Sequence, residues 1–123
     1  MTSAASLAGV CVLIVEDQYL IADEMRRAVT ALGGTVVGPC ATVEDAIAKL
    51  KSEEVQFGLL DISLRGEEVL PVADEMMRRG TPFAFATGYE EWVIPPKYRD
   101  HPRIEKPASP IALRNALEAA VKR

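Results

Sequence analysis

Five side chains able to carry phosphoryl or metal chemistry stand at the polar ends of apolar runs. Glu16 and Asp17 follow Val10-Cys11-Val12-Leu13-Ile14-Val15, and Asp61 follows Phe57-Gly58-Leu59-Leu60. Thr87 follows Pro82-Phe83-Ala84-Phe85-Ala86, and Lys106 closes the short run that begins at Arg103. Three carboxylates within a few ångströms repel one another, and one lysine cannot neutralise them. Either some hold protons or a divalent cation sits among them. An all-oxygen set without His or Cys suits Mg2+ or Ca2+ rather than zinc. A spare acidic oxygen, a hydroxyl and an ammonium also match an anionic tetrahedral group. A cation and Lys106 would spread the charge of a transferring phosphoryl, and Asp61 would supply the in-line nucleophile.

Each residue also has a plainer reading. Glu16-Asp17 alone serves equally well as a charge near a helix start. Thr87 alone is an ordinary strand or turn residue, and Lys106-Pro107 alone says little. Asp61 is harder to set aside, because a charge at the end of an apolar run is costly to bury without compensation. Together, at the ends of separate strands, they read as one site.

The elements that must position them alternate along the chain. Val10 to Val15 is β-branched-rich, as in a strand buried on both faces. Ile21, Met25, Ala28, Val29 and Leu32 then mark one helix face, closed by Gly33-Gly34. A second strand is expected over Thr35 to Val37. Thr42 is the N-cap of a helix carrying Val43, Ala46, Ile47 and Leu50, with Asp45 completing an approximate capping box. Phe57 to Ile62 is the third strand. The helix after it runs through Val69, Ala73, Met76 and Met77 to Gly80, with Pro71 in its first turn. Pro82 to Ala86 is the fourth strand and Arg103 to Lys106 the fifth. Pro95-Pro96 argue against a regular helix of normal length between Tyr89 and His101. Ser109-Pro110 cap a last helix bearing Leu113, Leu117, Ala120 and Val121. This alternation predicts an open three-layer α/β domain with a parallel sheet. In such sheets ligands bind beyond the carboxyl ends of the strands, where the five residues fall.

Composition narrows the function. A chain of 123 residues suits one domain, 49% hydrophobic residues supply a core, and a net charge of -4 argues against direct nucleic-acid binding. Cys11 and Cys40 lack metal-ligand spacing, and the only histidine is His101, so both thiols are expected to be reduced, buried packing residues. Val10 to Val15 is too short to cross a bilayer, and Met1 to Gly9 has no basic residue, so neither a membrane span nor a secretory signal is expected. A cytoplasmic location follows.

Val15-Glu16-Asp17, Leu60-Asp61, Thr87 and Lys106-Pro107 resemble the CheY-like receiver domain of two-component systems, and the resemblance runs from about Val10 to Val121. It implies a flavodoxin-like, doubly wound five-stranded parallel sheet in the order 2-1-3-4-5, with the fourth helix short or irregular. It also implies a single receiver domain over residues 1–123 (core about 10–121) without an output domain. Asp61 would be the phosphoacceptor, phosphorylated by a histidine kinase. Mg2+, with Ca2+ or Mn2+ as substitutes, would be held by Asp17, by Glu16 directly or through water, by Asp61 and by the backbone carbonyl of Ser63. Thr87 and Lys106 would bind phosphoryl oxygens, and the Lys106–Pro107 bond would be cis. The implied protein is no turnover enzyme, but self-phosphorylates and autodephosphorylates at Asp61. It would relay phosphoryl groups or bind a phosphotransferase or downstream protein, with no nucleic-acid or membrane partner.

Thr81 to Tyr89 contains Pro-Phe-x-Phe-Ala-Thr-Gly-Tyr and so resembles the "FAT GUY" receivers, often single-domain and linked to HWE-type histidine kinases. Receivers of the commoner pattern place a switch aromatic three residues before the lysine, where this chain has Arg103. Phosphorylation is therefore expected to act on the Tyr89 to His101 segment. A dehalogenase-type phosphatase would need Asp-x-Asp after its first strand, and a flavodoxin-like nucleotide binder a phosphate-cradling loop there. Glu16-Asp17 supplies neither.

Overall fold

The computed structural model describes residues 7–64, 66–88, 95–98 and 100–121, excluding the side chains of Ser63 and Val121. Strands β1 (Cys11–Val15), β2 (Thr35–Cys40), β3 (Phe57–Asp61), β6 (Phe83–Thr87) and β7 (Arg103–Glu105) form one sheet, all pairs parallel, in the order β2-β1-β3-β6-β7. Counting only this sheet, the order is the expected 2-1-3-4-5. A two-stranded antiparallel ribbon, β4 (Ser63–Leu64) with β5 (Glu67–Glu68), follows β3 directly. No periodicity announces so short a pair, and the sequence reading missed it.

Alternation along the central strands divides the core into two layers. Val12, Ile14, Phe57, Leu59, Ala84 and Ala86 pack under α1 (Tyr19–Ala31) and α4 (Pro110–Val121). Leu13, Val15, Leu60, Phe83 and Phe85 pack under α2 (Val43–Ser52) and α3 (Leu70–Arg79). The anticipated caps are present. Thr42 Oγ1 accepts from the Asp45 N–H at 3.1 Å, and Ser109 Oγ accepts from the Ala112 N–H at 3.1 Å. Pro71 lies in the first turn of α3, and Gly80 ends that helix with φ 71°. Between β6 and β7 the described residues contain a single 3-10 turn, Pro96–Tyr98, in keeping with the two prolines. Among the described residues no helix is long and apolar enough to cross a membrane.

Some boundaries differ from expectation. β6 starts at Phe83 and includes Thr87, because Pro82 offers only its carbonyl, which accepts from the Gly58 N–H at 3.0 Å. β7 stops at Glu105, one residue before Lys106. Both cysteines are free thiols. Cys40 is buried and its thiol pushed up by that burial, whereas Cys11 is only partly buried.

The second strand runs three residues beyond Val37. Its continuation depends on Gly38, at φ 100°, where a Cβ would meet the Cys40 nitrogen at 2.8 Å and the Ile14 carbonyl oxygen at 2.9 Å. The β1–β2 register shifts here, between Leu13 and Val15. The Cys40 carbonyl then reaches the Glu16 N–H at 2.9 Å. Gly38→Ala should cost about 3 kcal/mol through left-handed strain plus the backbone clash. Gly80→Ala, also left-handed but with open space around it, should cost about 1 kcal/mol. Urea unfolding of both variants checks the contrast, and equal losses would refute the steric account.

Candidate functional site

Parallel strands present their carboxyl ends at one rim, and there the chain collects its charges. Glu16 lies one residue past β1, its main chain held by Cys40 across the sheet. Its Oε2 accepts from the Gln18 N–H at 3.1 Å. Asp61 is the last residue of β3 and pairs with Ala86 of β6. The Ile62 N–H donates to the Ala86 carbonyl at 3.1 Å, and the Lys106 N–H to the Thr87 carbonyl at 2.9 Å. The Lys106–Pro107 bond is cis, as the family resemblance implied.

Lys106 Nζ stands 2.8 Å from Asp61 Oδ1 and 3.1 Å from Glu16 Oε1. The first contact is a hydrogen bond. The second is an ion pair without hydrogen-bond alignment. Glu16 and Asp61 are 2% and 1% exposed, so this ammonium joins two carboxylates almost withdrawn from water. Asp17, half-buried, completes the group, and carboxylate oxygens of Glu16, Asp17 and Asp61 lie within 4.8 Å of one another.

The electrostatics follow from burial. Desolvation pushes the Glu16 carboxyl up from 4.5 to about 7, and the Asp61 charge pushes the same way. The Gln18 N–H and the Lys106 ammonium oppose both. Burial also works against the Lys106 charge. The hydrogen bond to Asp61 and the two carboxylates nonetheless hold its pKa above that of an ordinary lysine.

The donor set fits a hard divalent cation. Oxygens bound to one such ion at ~2.1–2.4 Å lie no more than ~4–5 Å apart, which the 4.8 Å spread satisfies. Four of the residues singled out in sequence are therefore brought together: Glu16, Asp17, Asp61 and Lys106. Thr87, the last residue of β6, reaches the same rim and is 5% exposed. Asp61 is paired with Ala86, so by alternation Thr87 belongs with Phe83 and Phe85 on the opposite face of the sheet. Ser63 lies in β4, two residues beyond Asp61, and Tyr89 lies outside the described residues. Sequence reasoning missed the Cys40 carbonyl and Gln18 N–H that fix Glu16. Gly38-Pro39 was the only signal of the former.

No family model matches the chain, and no curated protein matches it. Solved structures do. The chain is 35% identical to SdrG from Sphingomonas melonis Fr1, covering 98% of this chain and 99% of that one, with a TM-score of 0.83. The chain belongs to the receiver domain family. SdrG from Pseudomonas melonis Fr1 in its BeF3-activated conformation is 36% identical over 91% of this chain and 96% of that one, with a TM-score of 0.77. The receiver domain of a modulated diguanylate cyclase from Desulfovibrio desulfuricans G20 is 26% identical, covering 91% of this chain and 93% of that one, with a TM-score of 0.78. The stress response regulator PhyR is 30% identical, with a TM-score of 0.79. There 96% of this chain covers 46% of that one. The receiver thus takes a response-regulator role in signalling.

Burial of Glu16 gives the metal-free receiver a defined pH dependence. With its pKa near 7 in the fold, Glu16 keeps a proton that the unfolded chain loses from about pH 4.5 upward. Stability from this group is therefore present at low pH and lost as pH rises toward 7. In EDTA, Glu16→Gln should flatten that loss. Urea unfolding from pH 5 to 8 measures it, and parallel curves for the two proteins would contradict the assignment.

Proposed function

We propose that this receiver accepts a phosphoryl group from the phosphohistidine of a histidine kinase onto Asp61. The observation that carries the reading is Lys106 Nζ, 2.8 Å from Asp61 and 3.1 Å from Glu16, within a buried cluster of carboxylates at the sheet's carboxyl edge. An Asp61 carboxylate oxygen attacks phosphorus, the P–N bond breaks, and the imidazole leaves with the electron pair. Glu16, Asp17, Asp61 and the Ser63 backbone carbonyl hold Mg2+, for which Ca2+ or Mn2+ can substitute. When bound, the ion neutralises charge on the phosphoryl oxygens. Lys106 offers its ammonium to another of those oxygens, and the Thr87 hydroxyl donates to one after turning over the strand end. Attack of water on phosphorus later restores the Asp61 carboxylate, so the protein is a timed signal carrier rather than a turnover enzyme.

The Pro82 to Tyr89 motif and Arg103 in place of a switch aromatic support membership of the FAT GUY subgroup, with an HWE-type kinase as donor. The BeF3-activated conformation known for SdrG supports a phosphoryl-dependent activation here. A phosphotransferase or downstream protein then reads the phosphorylated form.

Incubation with acetyl phosphate and Mg2+ should add the mass of one phosphoryl group to the wild type. Asp61→Asn should abolish the gain, and Lys106→Ala should slow it by about a hundredfold through loss of one charge-stabilising group. An unchanged gain in Asp61→Asn would overturn the acceptor assignment, and continuous phosphate release at many turnovers per second would point to a phosphatase.

Metal linkage gives an independent measurement. Mg2+ at about a hundred times its dissociation constant should stabilise the fold by about 2.7 kcal/mol. Asp17→Asn should lose most of that response. A melting temperature flat across millimolar Mg2+ would remove the metal from the mechanism.

A further inference from the structure

The ribbon that follows Asp61 is short, and its place is fixed from two sides. Ser63 pairs with Glu68 and Leu64 with Glu67, and Gly66 lies in the turn between them at φ 81°. A hairpin of this size does not hold its position unaided. Leu64 is 4% exposed and packs in the layer under α2 and α3. Residues opposite one another in an antiparallel pair share a face, so Glu67 is turned toward the same helices. It stays exposed, and its Oε2 accepts at 3.0 Å from the Val43 N–H, 24 residues earlier in the chain.

Val43 is the first residue of α2, and its N–H is one of the donors for which a helix supplies no partner of its own. Thr42 satisfies the Asp45 N–H at the same end, at 3.1 Å. A carboxylate on this helix end is favoured by the helix dipole. The residues just before α2 are already engaged at the site, because the Cys40 carbonyl holds the Glu16 N–H at 2.9 Å. A closed circuit results. From Glu16 it crosses to Cys40, follows the chain to Val43, crosses to Glu67, and returns through the ribbon to Asp61, which Lys106 joins to Glu16. Outside the charge cluster, Glu67 is the one link in this circuit made by a side chain.

We infer that Glu67 is a positioning residue of the metal site. By fastening the ribbon to the start of α2 it fixes the chain that leaves Asp61, with the Ser63 carbonyl, relative to the acids after β1. The inference rests on the proposed binding of Mg2+ by these residues. Without the Glu67 carboxylate the ribbon spends time away from its place, and only the molecules with it in place offer the full ligand set. The apparent dissociation constant rises by the inverse of that fraction.

The test is calorimetric titration of Mg2+ into the full chain at one pH, for wild type, Glu67→Ala, Glu67→Gln and Thr42→Ala, with melting temperatures in EDTA alongside. Glu67→Ala should bind Mg2+ about fivefold more weakly, as loss of a carboxylate–helix contact of ordinary strength implies. Glu67→Gln keeps an oxygen able to accept from Val43 and should recover most of the affinity. Thr42→Ala removes a different bond from the same helix end, so it should lower the melting temperature and leave the Mg2+ affinity at the wild-type value. Wild-type affinity in Glu67→Ala, or equal weakening in Glu67→Ala and Thr42→Ala, reduces Glu67 to a helix-stabilising residue and overturns the inference alone. Equal weakening in Glu67→Ala and Glu67→Gln traces the effect to charge and overturns it too. A wild type that does not bind Mg2+ removes the metal from the proposed function, and this inference falls with it.

Discussion

Two carboxylates buried to within a few per cent of complete exclusion from water share one ammonium at the edge of the sheet. Such an arrangement is costly, because burial disfavours every charge in it and Asp17 adds a third acid. Glu16 registers the cost directly, its carboxyl lifted to about 7 chiefly by desolvation. A fold tolerates this when the imbalance serves a purpose, and such a site is short of positive charge, which a hard cation would supply.

The rest of the architecture holds these charges in place. Parallel pairing aligns β1, β3 and β6, so that Glu16, Asp61 and Thr87 come to the same edge. Main-chain bonds from Glu16 to Cys40, from Ile62 to Ala86 and from Lys106 to Thr87 then lock neighbouring strand ends together. Gly38 belongs to the same machinery although it carries no side chain. A Cβ there would press on the backbone of Ile14 and Cys40, and the Glu16 anchor would move. On the other face of β6, two phenylalanines, Tyr98 and His101 make an aromatic layer. The chemistry and the aromatic layer thus occupy opposite faces of one strand, with Thr87 at its end.

Most of the fold was legible in the sequence, because its signals are local. Continuous apolar runs marked strands buried on both faces, and Thr42, Ser109, Pro71 and Gly80 marked helix ends through their own backbone chemistry. The β4–β5 ribbon was not legible. Two residues per strand carry no period, and the ribbon exists because the chain turns back directly after Asp61. The extension of β2 was hidden for a related reason, since Gly38-Pro39 reads as a break in any strand pattern.

The sequence by itself determined which residues are equipped for chemistry: Glu16, Asp17, Asp61 and Lys106 are charges placed where apolar runs stop, and a charge in that position needs a partner. Only the tertiary structure decided how they divide. It put Lys106 between Glu16 and Asp61, brought Asp17 into the same cluster, and ended the neighbouring strand β6 at Thr87. It also placed Tyr98, which nothing in its neighbourhood marked out, between Phe85 and Asp74. The physical reason is range. Strand ends and caps are written within a few residues, whereas the face a side chain takes and the group it meets depend on registers set between segments tens of residues apart.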